Sequence, residues 1–258
     1  MKISVKPNLL KYLALGAGAL GLLLRWLLYA TGTDDQGMLL RSHPSQYLLW
    51  LLSAAALAGA YLLTRSITGP ERYDDCFHTS ALSGVGCLLA AAGILITTIS
   101  NMSDPPDSVT LIMWILGYGA AAALAVAGFC RLAGMKPSFL FYVVLSAYFA
   151  VRMVCQYRQW SSDPQLQDYC YQLLACVALM ITAYHHAAFG TELGSHKSLW
   201  FFSLAAVFLC CLCLAGPGDQ LFYLGSGIWA FTGLSSLTPR ARRQRPDLNL
   251  EESAPEEE

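Results

Sequence analysis

The sequence predicts an all-α fold, a polytopic integral membrane helix bundle of about eight transmembrane helices with both termini cytoplasmic. Composition is the first reason, because 55% of the 258 residues are apolar and only 13% are charged. Soluble domains carry about 25% charged residues. The mean hydropathy of +0.46 agrees with this. The second reason is that long apolar runs recur along the chain, and basic residues gather on alternate connecting segments.

The apolar runs define the expected helices. A membrane crossing needs a helix of about 20 apolar residues, because backbone amides find no water partner in hydrocarbon. The runs predict helices near residues 9–30, 47–63, 80–101, 109–130, 138–157, 169–189, 198–215 and 221–237. Ten leucines outweigh Arg25 in the first run, and Arg25 lies near one end, where it can snorkel towards water. The fifth run lengthens through Arg152, and Gly, Ser and Thr dilute the eighth.

Basic residues set the expected orientation. With the N-terminus inside, twelve of the 16 Lys and Arg fall on the inner side: Lys2, Lys6, Lys11, Arg65, Arg72, Arg131, Lys136, Lys197, Arg240, Arg242, Arg243 and Arg245. The outer side receives Arg41, Arg152 and Arg158. The positive-inside rule favours this arrangement, and without the eighth helix the Arg240–Arg245 cluster would lie outside. We therefore expect a multi-pass protein of a cell membrane, of the bacterial inner or cytoplasmic type, with its bundle in residues 1–238.

Residues 239–258 form a segment of different composition, first basic and then acidic. It has too little apolar surface to fold alone, so we expect a disordered cytoplasmic tail. Its basic half is expected to lie against anionic headgroups, and the tail offers a contact for a protein partner. The net charge of −1 leaves no overall basic surface, so no nucleic-acid binding is expected.

The fifth helix carries a polar stripe. Its members fall at i, i+4, i+8 and i+11, which share one helix face: Tyr148, Arg152, Gln156 and Gln159. Polar side chains within a membrane usually face the bundle interior or a wet cavity. The stripe therefore predicts a ligand-binding pocket open to the outer side.

Three polar residues follow the stripe and are expected to complete the pocket or neutralise its arginines: Asp163, Asp168 and Gln172. The alternative is an ordinary helix end in the headgroup region, with an aromatic belt formed by Trp160, Tyr157, Tyr169 and Tyr171. Both interpretations stay open on the sequence alone.

His185 and His186 lie in the last turns of the sixth predicted helix. A proton-coupled carrier needs a group that titrates near neutrality, and histidine does. A structural role near the helix end explains them equally well. Adjacent residues point about 100° apart on a helix, so the pair is not a ready-made chelate. The nine cysteines include one C-x-x-C spacing, from Cys210 to Cys213, but it lies inside an apolar helical run, where cysteine is a common small apolar residue. We therefore expect no metal site.

The chain has no Walker A loop, H-E-x-x-H or G-x-S-x-G. The spacing G-x-G-x-x-G occurs at Gly16–Gly21, but it lies inside an apolar helical run and not between a strand and a helix, so it does not predict a dinucleotide site. We therefore expect no cofactor and no catalytic residues. The function favoured is small-solute transport or membrane substrate binding, with the lipid bilayer and a small-molecule ligand as partners. The alternative is a non-catalytic sensor, assembly factor or scaffold. Small residues spaced for close helix contact are also compatible with a homo-oligomer.

The stretch from Arg158 to Ala175 resembles segments of polytopic bacterial membrane proteins without an assigned function. The residues that carry the resemblance are Trp160, Asp163, Pro164, Asp168, Tyr169 and Gln172. It covers under a tenth of the chain and implies no chemistry.

Overall fold

The computed structural model describes residues 7–32, 43–65, 77, 80–102, 108–161, 166–216 and 218–237. In these residues the chain is all-helical, which confirms the predicted fold class. The helices are α1 (Pro7–Thr31), α2 (Pro44–Thr64), α3 (Ala81–Ser100), α4 (Ser108–Leu132), α5 (Phe139–Trp160), α6 (Leu166–Gly190), α7 (His196–Cys213) and α8 (Gln220–Ser236). Helices α1 to α7 are long and apolar enough to cross a membrane. The predicted tail at 239–258 lies outside the described residues.

The helices alternate in direction, and contacts between their ends show it. Lys11, near the start of α1, donates from Nζ to Ser235 Oγ near the end of α8 at 3.1 Å. At the opposite end, Asn101 after α3 donates to the Asp219 carboxylate, just before α8, at 3.4 Å. We call the end where α1 begins the inner end and the opposite end the outer end, after the sidedness that the basic residues predict.

Six helices form a closed ring. Each of α3 to α8 packs against its neighbours in chain order, and α8 closes the ring by packing along α3. Helices α1 and α2 lie outside the ring against α7. Large apolar side chains such as Trp26 and Leu51 point away from the bundle, as expected of surfaces in contact with lipid. The interior of the ring, here called the lumen, is filled by side chains.

The α3–α8 contact closes the ring through glycines. A Cβ at Gly93 would lie 2.6 Å from Leu221 O, and one at Gly225 would lie 2.9 Å from Leu89 O. The two backbones therefore touch, a contact that small residues permit between membrane helices. This explains why α8 is rich in Gly, Ser and Thr: much of its surface faces protein rather than lipid.

Helix boundaries differ from the predicted ones by a few residues. Helix α2 begins at Pro44 rather than 47, because proline suits a first helical turn that needs no amide donor. Helix α5 continues to Trp160, three residues beyond the predicted end. Its extra turn contains Gln159, the last member of the polar stripe.

Candidate functional site

Arg152 lies inside the bundle. It is the 14th of the 22 residues of α5, about 12 Å of helix from the outer end, and its side chain is 2% exposed. The sequence count placed it in an outer segment, where a basic side chain reaches water. The structure instead packs its guanidinium among protein groups. A buried arginine at this depth needs a counter-charge and hydrogen-bond acceptors.

Asp219 supplies the counter-charge. Its carboxylate accepts a hydrogen bond from Arg152 Nη2 and forms an ion pair with it. Asp219 directly precedes α8, where the free amides of the helix start favour an anion. Its side chain keeps 25% of its exposure, so the acidic partner is the accessible member of the pair.

Polar and aromatic neighbours complete the environment of this pair. Arg152 Nη1 donates to Tyr148 Oη at 3.3 Å, and the guanidinium carbon lies 3.9 Å from the Phe222 ring centroid. One turn further out, Gln156 Nε2 donates to Tyr223 Oη at 3.4 Å. The Cys176 thiol of α6 donates to Gln156 Oε1 at 3.4 Å. The Arg152 group, as we call it, consists of Tyr148, Arg152, Gln156, Cys176, Asp219 and Tyr223.

The Arg152 group bridges the lumen. Helices α5 and α8 are opposite members of the six-helix ring and do not pack backbone to backbone. Their side chains nevertheless meet in the lumen, through the ion pair and through the pairing of Gln156 with Tyr223. Separation of α5 from α8 would therefore open the lumen at the outer end and break both contacts.

Aromatic rings fill the lumen below the Arg152 group. Phe149 of α5 contacts Phe222 of α8, with ring centroids 5.9 Å apart, and also Trp229 at 6.4 Å. Trp229 in turn lies 5.5 Å from the imidazole of His186. The rings of Phe149, Phe222 and Trp229, here called the aromatic plug, separate the outer polar group from the inner end.

A second buried cation lies at the inner end. Arg131 of α4 donates to Ser83 Oγ and, at 2.8 Å, to Tyr142 Oη. The Tyr142 ring stacks on His186 with centroids 5.2 Å apart. In the sequence, Arg131 is one of the basic residues at the inner end of a helix. No local sequence pattern distinguishes it from an exposed arginine.

Several buried polar atoms in the lumen have no hydrogen-bond partner among the described residues. They are Arg152 Nε, Ser226 Oγ and His186 Nδ1. Most buried polar atoms in proteins are paired with protein or water, so each such atom needs an explanation. Water or a solute in the lumen would supply the missing partners.

The structure brings only part of the predicted pocket together. Tyr148, Arg152 and Gln156 are buried side by side in the Arg152 group, whereas Gln159 is exposed. Gln159 lies about one turn closer to the end of α5 than Gln156 does. Asp163 and the side chain of Asp168 lie outside the described residues.

Gln172 is buried, but beside a different arginine. A Cβ at Gly216 would lie 3.4 Å from Gln172 Nε2 and 2.9 Å from Arg25 Nη2. Arg25 is 1% exposed and donates to Leu212 O at 3.0 Å, near the end of α7. The expectation that Arg25 snorkels is therefore wrong. Its guanidinium instead donates to a backbone carbonyl in the last turn of α7, where a cation is favoured.

The two histidines face different surroundings. His186 is buried in the lumen between Tyr142 and Trp229. His185 is half-buried and stacks on Phe202 of α7, with centroids 6.1 Å apart. Their divergence follows from the 100° step between neighbouring helix positions. A role in proton coupling stays a prediction for both.

The remaining candidates carry less chemistry. The cysteines in the described part of the chain are free thiols. Within the same residues no group of three or more His, Cys, Asp or Glu is arranged to hold a metal ion. A groove between α1, α2 and α7 is lined by apolar side chains such as Leu13, Leu57 and Phe208.

Sequence reasoning missed the partner of Arg152. Asp219 looked like one of several acidic residues of the outer loops, a counterpart to the positive-inside bias. A usable signal was the short eighth run, 17 residues as a helix, which begins directly after Asp219. A helix of about 26 Å is shorter than the roughly 30 Å hydrocarbon core, so at least one of its two ends is expected below a membrane surface.

No protein-family model, curated protein or solved structure matches this chain. The chain is a multi-pass membrane protein whose described helices include a closed ring of six.

Proposed function

We propose that this protein carries a small polar solute across the membrane and binds it from the outer side at the Arg152 group. The observation that carries the proposal is the buried Arg152–Asp219 ion pair across the lumen. An ionisable pair inside a membrane protein is costly to bury and commonly marks a substrate or ion pathway. Three members of the Arg152 group, Tyr148, Arg152 and Gln156, belong to the α5 stripe from which the pocket was predicted. That this group opens towards the outer side is part of the proposal.

The contents of the lumen suit a closed state of such a carrier. The outer polar group, the aromatic plug and the inner polar cluster around Arg131 follow one another along the lumen. A solute path requires polar contacts at both ends and a barrier between them. The unpartnered Ser226 Oγ and His186 Nδ1 provide further contacts along the way.

Ligand-induced stabilisation tests the proposal. The purified protein in detergent is heated with a panel of sugars, amino acids, nucleosides, vitamins and metal ions, and the unfolding temperature is recorded. A solute present at 100 times its Kd adds about 2.7 kcal/mol to the free energy of unfolding. We expect at least one solute to give a shift that the Gln156→Leu variant loses.

Gln159→Leu is the matched control, because it makes the same change on the same helix at an exposed position. It should retain the shift, as should a chain without residues 240–258. A shift that survives both Gln156→Leu and the neutral double variant Arg152→Gln/Asp219→Asn would contradict the site. Absence of a shift with every compound would contradict the carrier.

Thiol labelling tests the opening of the lumen. Cys176 is buried beside Gln156, whereas Cys170 lies exposed on the same helix. In single-cysteine variants, we expect Cys176 to react slowly with a maleimide, and Cys170 quickly. Replacing the ion pair by Arg152→Gln/Asp219→Asn weakens the α5–α8 contact and should speed labelling of Cys176 at least about tenfold. An unchanged Cys176 rate would show that the pair does not hold the lumen closed.

A further inference from the structure

The charge balance of the Arg152 group restricts the solute it accepts. Its charged members are one guanidinium and one carboxylate, and its other members are neutral. Arg25, the other buried arginine near the outer end, is engaged at the end of α7. A solute with a single net charge would leave an uncompensated charge in this buried site, which is costly. The site therefore favours a solute without net charge.

Arg152 keeps donor capacity for an anionic group. Its Nη2 and Nη1 atoms donate to Asp219 and Tyr148, while Nε is buried without a partner. The Nε and Nη2 edge of a guanidinium matches the two oxygens of a carboxylate. A solute carboxylate at this edge would accept a hydrogen bond from Nε. It would also replace Asp219 as the acceptor of the hydrogen bond from Nη2.

Asp219 keeps acceptor capacity for a cationic group. One carboxylate oxygen pairs with Arg152, and the other accepts only the long 3.4 Å contact from Asn101 among the bonds described. The side chain is partly exposed towards the outer end, so a donor from that side reaches it. The Phe222, Tyr148 and Tyr223 rings supply apolar and π surfaces for the rest of a small molecule.

We propose that the solute is a small zwitterion of the α-amino acid type, with its carboxylate on the Arg152 guanidinium and its ammonium group on the Asp219 carboxylate. This rests on the proposed function and adds the substrate class. The zwitterion separates the two protein charges and pairs with each. The site stays neutral at every stage.

Binding of charge-matched analogues tests this class. The twenty standard amino acids are screened by thermal shift against the purified full chain, and affinities are measured for the best binder and its two one-charge analogues. For leucine these are 4-methylpentanoate, which lacks the amine, and 3-methylbutylamine, which lacks the carboxylate. We expect both analogues to bind at least about 100-fold more weakly than the amino acid, because each leaves one buried protein charge unpaired.

Variants that keep only one charge of the ion pair should change which solute binds best. Asp219→Asn leaves a buried guanidinium, so it should bind the carboxylate analogue at least about tenfold more tightly than the wild type does and should lose its preference for the amino acid. Arg152→Gln should shift in the opposite direction, towards the amine. Where a single variant fails to fold, the neutral Arg152→Gln/Asp219→Asn protein replaces it and should bind none of the three solutes measurably.

Three outcomes would overturn the zwitterion proposal. They are no binding of any amino acid, equal binding of either one-charge analogue by the wild type, and an unchanged preference in both single variants. A sugar or nucleoside whose thermal shift is lost in Gln156→Leu would overturn the zwitterion class while leaving the carrier supported. The two proposals therefore fail separately.

Discussion

Asp219→Ala is expected to lower the free energy of unfolding by about 3–5 kcal/mol. The reason is that Arg152 is left as a buried guanidinium without its counter-charge. Equilibrium unfolding in mixed detergent micelles measures the loss. Arg158→Ala is the matched control, because Arg158 is an exposed arginine on the same helix and should change stability by less than about 1 kcal/mol.

The neutral replacement Arg152→Met/Asp219→Ala should recover most of the lost stability. An apolar side chain of similar volume removes the burial cost of the charge together with the ion pair. If the double variant is as unstable as Asp219→Ala, the loss comes from the start of α8 and not from the unpaired arginine. If Asp219→Ala keeps wild-type stability, Arg152 has another counter-charge.

Gly93→Ala is expected to destabilise the bundle by about 1–3 kcal/mol, and Gly93→Leu to prevent folding. A Cβ at Gly93 would lie 2.6 Å from Leu221 O, and a backbone atom cannot rotate out of the way. Separation of α3 from α8 would open the ring at its closing contact. The yield of folded protein and its unfolding temperature report the effect.

Gly59→Ala on α2 is the control for the glycine variants. Nothing lies within 4 Å of a Cβ at Gly59, so the added methyl group meets open space. Alanine favours a helix over glycine by up to about 1 kcal/mol, so this variant should be neutral or slightly stabilised. Equal effects of Gly93→Ala and Gly59→Ala would contradict the close backbone contact between α3 and α8 at Gly93.

The fold was predictable because one physical constraint determines it. Hydrocarbon requires long apolar helices, so composition and run length locate each helix to within a few residues. Side-by-side order was not predictable. A glycine that packs against the backbone of another helix, as Gly93 packs against α8 at Leu221, carries no sequence signal that identifies its partner helix.

The candidate site was predictable only where its residues share a helix. Tyr148, Arg152 and Gln156 are spaced by four residues, so the helical period places them on one face. Asp219 lies 67 residues from Arg152, and its role depends on how deep α8 begins. Gln159 fits the period but its side chain is exposed, so the period alone predicted too long a stripe.

The most direct test of a solute path through the ring is uptake by the protein in sealed liposomes. The radiolabelled solute that gives the largest thermal shift is followed into vesicles with wild-type protein, Gln156→Leu, Gln159→Leu, or no protein. If the solute passes through the ring at the Arg152 group, we expect saturable uptake with wild-type protein and with Gln159→Leu, and background uptake with Gln156→Leu. Uptake at background with wild-type protein, or equal uptake by both glutamine variants, would contradict it.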